Sequence, residues 1–408
     1  MILPRYALFA AFLASAGVPI YIYAPKFFAD TYGVGIGAIG VTLFVLRLLD
    51  FVQYPILGWI VGRIGARRQI AAIGGALGMI VGMFGLFTVV PPVHPLAWMA
   101  INLTVLFTSF SFLSILFYAR GVAQAQSMGP GGHIRLGGWR EAGSLAGISI
   151  FCVVPVVLIG AGWASPFTGF AVIFAALGVA AILAMHRNWP GLMSVSDDGF
   201  AHLLSCPDIR RLLTIGLLNA APVAVTSTLF LFFVESRLGA PELAGPLLLA
   251  FFMAAAISTP GWSRLARQFN PEHVLAAGMM LAIATFVWAF SLEAGDTTAF
   301  LIICLLSGAA LGADMTLLPA MMSQTVAESG GNSGQAFGLW NFAAKASLAL
   351  AAIAVLPALE ASGFRTGASN DPAALVRLSI LYALVPSFLK VTALSLLLFT
   401  RSKVSQSC

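Results

Sequence analysis

Polar residues are sparse along this chain and gather in short clusters, with long apolar stretches between them. Each of twelve stretches is about as long as the roughly 20 residues a helix needs to cross a hydrocarbon core of about 30 Å. They cover residues 5–29, 35–61, 69–90, 95–118, 138–160, 166–186, 209–235, 242–266, 272–292, 298–323, 334–360 and 374–400. The first contains Ala14-Ser15-Ala16, the kind of small-residue site at which a signal peptide is cut. Its apolar character continues to Ala24, so a retained helix is expected. The longest polar connection runs from His186 to Arg211 and divides the spans six and six. The pattern predicts an all-α polytopic membrane protein: an N-terminal six-helix bundle over 1–186, a cytoplasmic connecting loop over 187–208, and a C-terminal six-helix bundle over 209–408.

Composition agrees with the pattern. Of 408 residues, 60% are hydrophobic and 9% charged, where a soluble domain carries about 25% charged residues. With an even number of spans, twelve Lys and Arg fall on one side, among them Arg63, Arg67, Arg68, Arg210, Arg211, Arg264 and Arg267. Four fall on the other: Lys26, Arg237, Arg365 and Arg377. This asymmetry predicts both termini in the cytoplasm, in a cell membrane such as the bacterial inner membrane. The net charge of +6 is then a topological signal, and a nucleic-acid partner is not expected.

Cys152, Cys206, Cys304 and Cys408 show no paired spacing, and the five histidines show no i,i+4 pairing. No disulfide framework, metal site or cofactor is implied. No nucleophile and base stand together, so an enzyme is not expected. The Gly129-Pro-Gly-Gly132-His-Ile-Arg135 segment lacks the preceding strand and the Lys-Ser/Thr ending of a phosphate-binding loop, and is expected to be a flexible cytoplasmic connection.

The two halves echo one another. Gly58-Trp59 opens a basic loop followed by Ala71-Ala72-Ile73-Gly74, and Gly261-Trp262 opens another followed by Ala276-Ala277-Gly278. Duplicated halves of six spans are a common construction of secondary transporters, with the solute site between the repeats.

A charge at the centre of a spanning helix costs about 2.5–3.5 kcal/mol on insertion scales and usually pairs or lines a polar pathway. The embedded charges are therefore the site candidates. Arg47 and Asp50 lie in span two, with Tyr54 on the same face at i, i+3, i+7. Arg120 closes span four, Arg140 and Glu141 open span five, and Asp314, Lys345 and Lys390 lie in spans ten, eleven and twelve. Competing structural roles exist for some of them. Arg47 and Asp50 can neutralise each other, Glu141 suits the positive end of a helix dipole, and Lys390 can snorkel along its own stem. Asp314, after Gly308 and Gly312, suits a polar network or gate, with Arg120 and Lys390 in the same class. Five cations against three anions leave the interior formally cationic, which leans toward an anionic solute.

The segments Arg47-Leu-Leu-Asp50 with Pro55 and Gly58-Trp59, Arg140-Glu-Ala-Gly-Ser144-Leu-Ala-Gly147, Gly312-Ala-Asp314 and Leu339-Trp340-Asn341-Phe-Ala-Ala-Lys345 resemble the glycoside-pentoside-hexuronide:cation symporters, the melibiose permease group of the major facilitator superfamily. The segment from Gly58 to Arg68 also resembles that superfamily's loop between helices two and three, with Gly62 near the place of its usual acidic residue. The resemblance implies the major facilitator fold, twelve helices in two pseudo-symmetric six-helix bundles. It implies Asp50 as the cation-site carboxylate with Lys345 facing that region, and Arg140 lining the sugar site. Glu141, Arg47, Ser114, Trp340 and Asn341 are further substrate-site candidates.

Two departures alter the expectation. Tyr54 stands where sodium-coupled members keep a second carboxylate, so protons are favoured over sodium. Ala14 and Ser114 stand where melibiose permease keeps its sugar-gripping acids, so galactosides are disfavoured.

The resulting expectation is a secondary active transporter of a small sugar-like or organic-anion solute, proton-coupled and functional as a monomer in the bilayer. The alternatives are an uncoupled or exchange transporter of an amphipathic or anionic compound, and a non-transporting assembly factor or receptor.

Overall fold

The computed structural model describes residues 2–186, 189, 200–364 and 370–399, so part of the expected connecting loop lies outside the described residues. Helices account for nearly all of the described chain, and no strand occurs among the described residues. Eleven described helices are long and apolar enough to cross a membrane.

The first expected span is broken in two. Helix α1 (Leu3–Ser15) ends at Ala16, and α2 (Val18–Tyr32) starts after Gly17, whose backbone at φ −85°, ψ −106° is not helical. Pro19 accounts for the restart, because a proline lacks the N–H that a continuous helix would need and is tolerated only in a first turn. At the break, the Ser15 hydroxyl donates to Phe12 O at 2.7 Å, and the Ala16 and Gly17 N–H groups bond to Leu13 O and Ala14 O.

Helices α3 (Ile36–Arg63), α4 (Arg68–Phe87), α5 (Pro95–Gln126), α6 (Gly132–Gly160) and α7 (Pro166–Met185) follow. After the short α8 (Phe200–Ser205) come α9 (Pro207–Phe232), α10 (Ala244–Gln268), α11 (Pro271–Ala289), α12 (Thr297–Glu328) and α13 (Ser333–Glu360). The last span is α14 (Pro372–Ser379), one π turn (Ile380–Leu384) and α15 (Val385–Phe399).

Three boundaries correct the sequence reading. Helix α5 runs to Gln126, so Arg120 lies within it rather than closing it. Helix α6 starts at Gly132, two turns before Arg140 and Glu141, so Glu141 is not at a helix start and the dipole role falls away. The Gly-rich connection is accordingly a tight turn. Gly129 and Gly131 take positive φ of 74° and 72°, and Gly132 is needed because a Cβ there would come within 2.2 Å of Ala125 O. In addition, Cys206 is disulfide-bonded, against the expectation of no disulfide, whereas Cys152 and Cys304 are free.

The described chain separates into two compact units. The first comprises residues 1–200 with 326–342, and the second 201–325 with 343–408. In the first unit, α1 lies backbone to backbone on α6: a Cβ on Gly143 would meet Ala7 O at 2.1 Å, and one on Gly147 would meet Ala11 O at 2.3 Å. Small residues permit this approach. Aromatic packing of Tyr6, Phe9 and Phe117 fills the space beside it. In the second unit, α12 approaches α10 in the same manner, a Cβ on Gly308 meeting Phe251 O at 2.2 Å and one on Gly312 meeting Ser258 Oγ at 2.3 Å.

Large apolar side chains are exposed around both units, among them Val41, Ile70, Val81, Ile257, Ile353 and Phe388. Apolar surface on this scale does not occur on a soluble monomer. It belongs against lipid, where a helix satisfies all of its own backbone groups.

Candidate functional site

Three clusters of buried polar side chains organise the described residues, two in the first unit and one in the second.

The first surrounds Asp50, which α3 buries to 3% exposure. Asp50 Oδ1 accepts from Ser111 Oγ at 2.6 Å and from Gln53 Nε2 at 2.8 Å. Each donor is itself held from behind. Thr108 Oγ1 donates to Gln53 Oε1 at 3.0 Å, and Tyr54 Oη lies 3.1 Å from Ser111 Oγ. Since the single Ser111 proton goes to the carboxylate, the Tyr54 hydroxyl donates to Ser111. Two short relays from α5 and α3 thus converge on one carboxylate oxygen.

The second surrounds Arg140 on α6. Its Nε donates to Glu141 Oε1 at 2.8 Å, both side chains being buried. The guanidinium lies 3.8 Å above the ring of Tyr118, and the Tyr118 hydroxyl donates to the same Glu141 oxygen at 3.1 Å. Arg140 Nη2 is buried with no hydrogen-bond partner among the described residues. The cation is therefore held flat by an aromatic face and a carboxylate, with one nitrogen unspent. Phe337 packs against Tyr118, with ring centroids 5.2 Å apart.

Residues 326–342 bring that phenylalanine into the first unit along a glycine seam. A Cβ on Gly58 would meet Gly334 O and Gly338 Cα at 3.0 Å, and one on Gly338 would meet Tyr54 O at 3.1 Å. Phe51 stacks on Phe342 at 4.5 Å. Gly62 has a local reason to lack a side chain, since a Cβ there would come within 2.6 Å of the Asn332 amide. Asn332 is buried, and its Oδ1 caps the start of α13 by accepting from Gly334 N and Gln335 N.

The third cluster is in the second unit, where Lys390 Nζ pairs with Asp314 Oδ2, both side chains being buried. Lys390 therefore does not snorkel: it is 2% exposed and points to a carboxylate on another helix.

The other candidates are scattered among these clusters. Ser114 is buried on α5, and Arg120 is buried on the same helix. Trp340 and Asn341 are half-buried on α13, and Asn341 Nδ2 bonds back to Phe337 O at 3.0 Å. Lys345 is half-buried and belongs to the second unit, whereas Asp50 belongs to the first. The Arg47 side chain lies outside the described residues.

Gln53, Thr108, Ser111 and Tyr118 are absent from the sequence-derived candidates. Neutral polar residues raise no alarm in an apolar helix. The available signal for Gln53 was its i+3 spacing from Asp50, and for Tyr118 and Ser111 the i+7 spacing on one helix.

The arrangement is that of a transporter: long lipid-facing helices surrounding buried, paired charges. Solved structures agree on the fold. A single-site variant of the E. coli fucose:proton symporter FucP superposes with a TM-score of 0.71 at 14% identity, over 96% of this chain and 97% of that one. A bacterial homologue of the iron transporter ferroportin in its outward-facing state gives 0.71 at 13% identity, over 96% and 99%. No curated protein sequence matches the chain. Residues 6–403 match the family described as MFS/sugar transport protein, and the chain belongs to that family. The family includes the melibiose-permease-like symporters. The chain is thus a multi-pass membrane transporter of the major facilitator superfamily and not an enzyme.

Proposed function

We propose that this transporter moves a small polar, sugar-like or organic-anion solute by alternating access, coupled to protons through Asp50. The observation that carries the reading is the buried Asp50 carboxylate, met by the Ser111 and Gln53 donors at 2.6 and 2.8 Å. A carboxylate so placed binds a proton with little rearrangement, since Ser111 and Gln53 need only reorient. Sodium, a hard cation, requires several oxygen lone pairs facing one point. Here the hydrogens of Ser111 and Gln53 are turned toward Asp50, and Tyr54 contributes a phenol instead of a second carboxylate.

In this reading Arg140 offers its unspent Nη2 to an oxygen of the solute, with Glu141 and Tyr118 fixing the guanidinium plane. Ser114, Trp340, Asn341 and Arg47 complete the substrate-site assignment, and Lys345 and Tyr54 share the coupling role assigned to Asp50. Arg140 is paired to Glu141 and Lys390 to Asp314, so neither supplies an uncompensated charge for an anionic solute. In the same reading both termini are cytoplasmic, as the positive-inside distribution supports, the membrane is a bacterial inner membrane, and the monomer is the working unit.

The test is solute uptake into proteoliposomes, the solute having first been found by thermal shift among sugars, uronates, sugar phosphates and small organic acids. Uptake accelerated by an inward proton gradient supports the reading, and a rate indifferent to that gradient refutes the coupling. A second reading, uncoupled or exchange transport, is favoured by the phenol at Tyr54. It predicts counterflow that persists undiminished without any ion gradient.

A further inference from the structure

The Asp314–Lys390 pair lies in the second unit, and its surroundings there define what it does. Arg211 Nη2 donates to Leu397 O at 2.7 Å, which sets the start of α9 against the end of α15. Two turns further into both helices, Asn219 and Lys390 share a level, both buried. On the other side of α9, Ser347 Oγ donates to Leu217 O at 2.8 Å, bringing α13 to a similar level.

Other charges on the packed helices lie elsewhere. Asp208, Arg210 and Arg211 sit at the start of α9, with Arg211 Nη1 bonded to Glu272 at 2.8 Å. Glu272 and His273 open α11, Arg377 is exposed on α14, and Glu328 ends α12. Cys304 and Tyr382, the other titratable side chains along α12 and the last span, are at least two turns away. Arg264 and Arg267 are exposed near the end of α10, which packs on α12, and Lys345 lies on α13 two residues from Ser347.

Asp314 depends on its partner. Its Oδ2 accepts from Lys390, and its Oδ1 is buried without a hydrogen-bond partner among the described residues. The charge of the carboxylate is therefore compensated by one group.

We propose that Asp314 and Lys390 stay paired throughout transport and act as a single charge-neutral tie between α12 and α15. Neither residue carries the coupling proton or touches solute. They are positioning residues, and each is indispensable only while the other is present. A buried pair broken at one end leaves an uncompensated charge, whereas a well-packed apolar replacement of both is tolerated. The proposal rests on the transport reading for one of its two readouts.

The experiment compares the full-length parent, D314N, K390M, D314N/K390M and D314L/K390L, measuring melting temperature in detergent and uptake. Each single variant should melt below the parent and lose at least about tenfold in uptake. Both doubles should recover most of the melting temperature, and at least one should return to within about threefold of parental uptake. Doubles as impaired as the worse single variant, or single variants indistinguishable from the parent, would overturn the proposal. The melting series stands even if the parent shows no proton-driven uptake, so failure of the transport reading is recognised separately.

Discussion

The Ser111 hydroxyl donates to Asp50 Oδ1 at 2.6 Å, joining α5 to the one carboxylate of α3. Hydrogen bonds to charged groups are worth about 1.5–3 kcal/mol, and leaving a buried charge short of a donor costs at least as much. Ser111→Ala is therefore expected to slow proton-driven uptake by about tenfold or more. Ser111→Thr, which keeps the hydroxyl, should retain most of the rate. Equal losses in the two variants would show that the hydroxyl is not what matters.

The seam between Gly58 and Gly338 leaves no room for a side chain, a Cβ on Gly338 lying 2.9 Å from Gly58 Cα. Overpacking typically costs about 1–3 kcal/mol. Gly338→Leu should abolish most uptake because the backbone contact beside Tyr54 cannot form. The check is uptake alongside chromatographic behaviour: a monodisperse variant with parental uptake contradicts the seam's role.

Gly62 and Asn332 compete for one volume, and Asn332 is also the cap of α13. Losing an N-cap costs about 0.5–2 kcal/mol, so Asn332→Ala should lower the melting temperature by a few degrees. Gly62→Ala should be destabilising on its own and less so in the Asn332→Ala background. Additive losses in the double variant would mean that the two residues do not meet.

Arg140 depends on shape as well as charge. Arg140→Lys keeps the cation but loses the planar face over Tyr118 and the fork toward Glu141. The solute-induced melting shift should fall by at least about half in this variant. Arg140→Ala should in addition lower the intrinsic melting temperature, because Glu141 is left buried and uncompensated. A full solute shift in Arg140→Lys would place the solute contact elsewhere.

The spans and the embedded charges were legible because each violates a simple expectation: apolar runs too long for a soluble core, and charges too costly to be idle within them. The partners were less legible. Ser111 and Thr108 are cheap to bury, so nothing in α5 marks them as facing Asp50. Lys390 and Asp314 are legible as members of one polar-network class, but not as partners, because a pairing between distant helices leaves no periodic trace. The Gly-rich stretch before Arg135 read as a loop throughout, although Gly132 serves close packing at a helix start. That misplacement put Glu141 at a helix terminus where it does not lie. The break at Gly17 was masked in the same way, since hydrophobicity continues across it while the backbone does not.

The central claim is that Asp50 carries the coupling proton, and one comparison tests it most directly: solute uptake by parent and Asp50→Asn proteoliposomes, each with and without an inward proton gradient. The parent should be accelerated by the gradient. The variant, permanently neutral at this position, should lose the acceleration while still exchanging solute across the membrane. Undiminished acceleration by the gradient in Asp50→Asn would contradict the account.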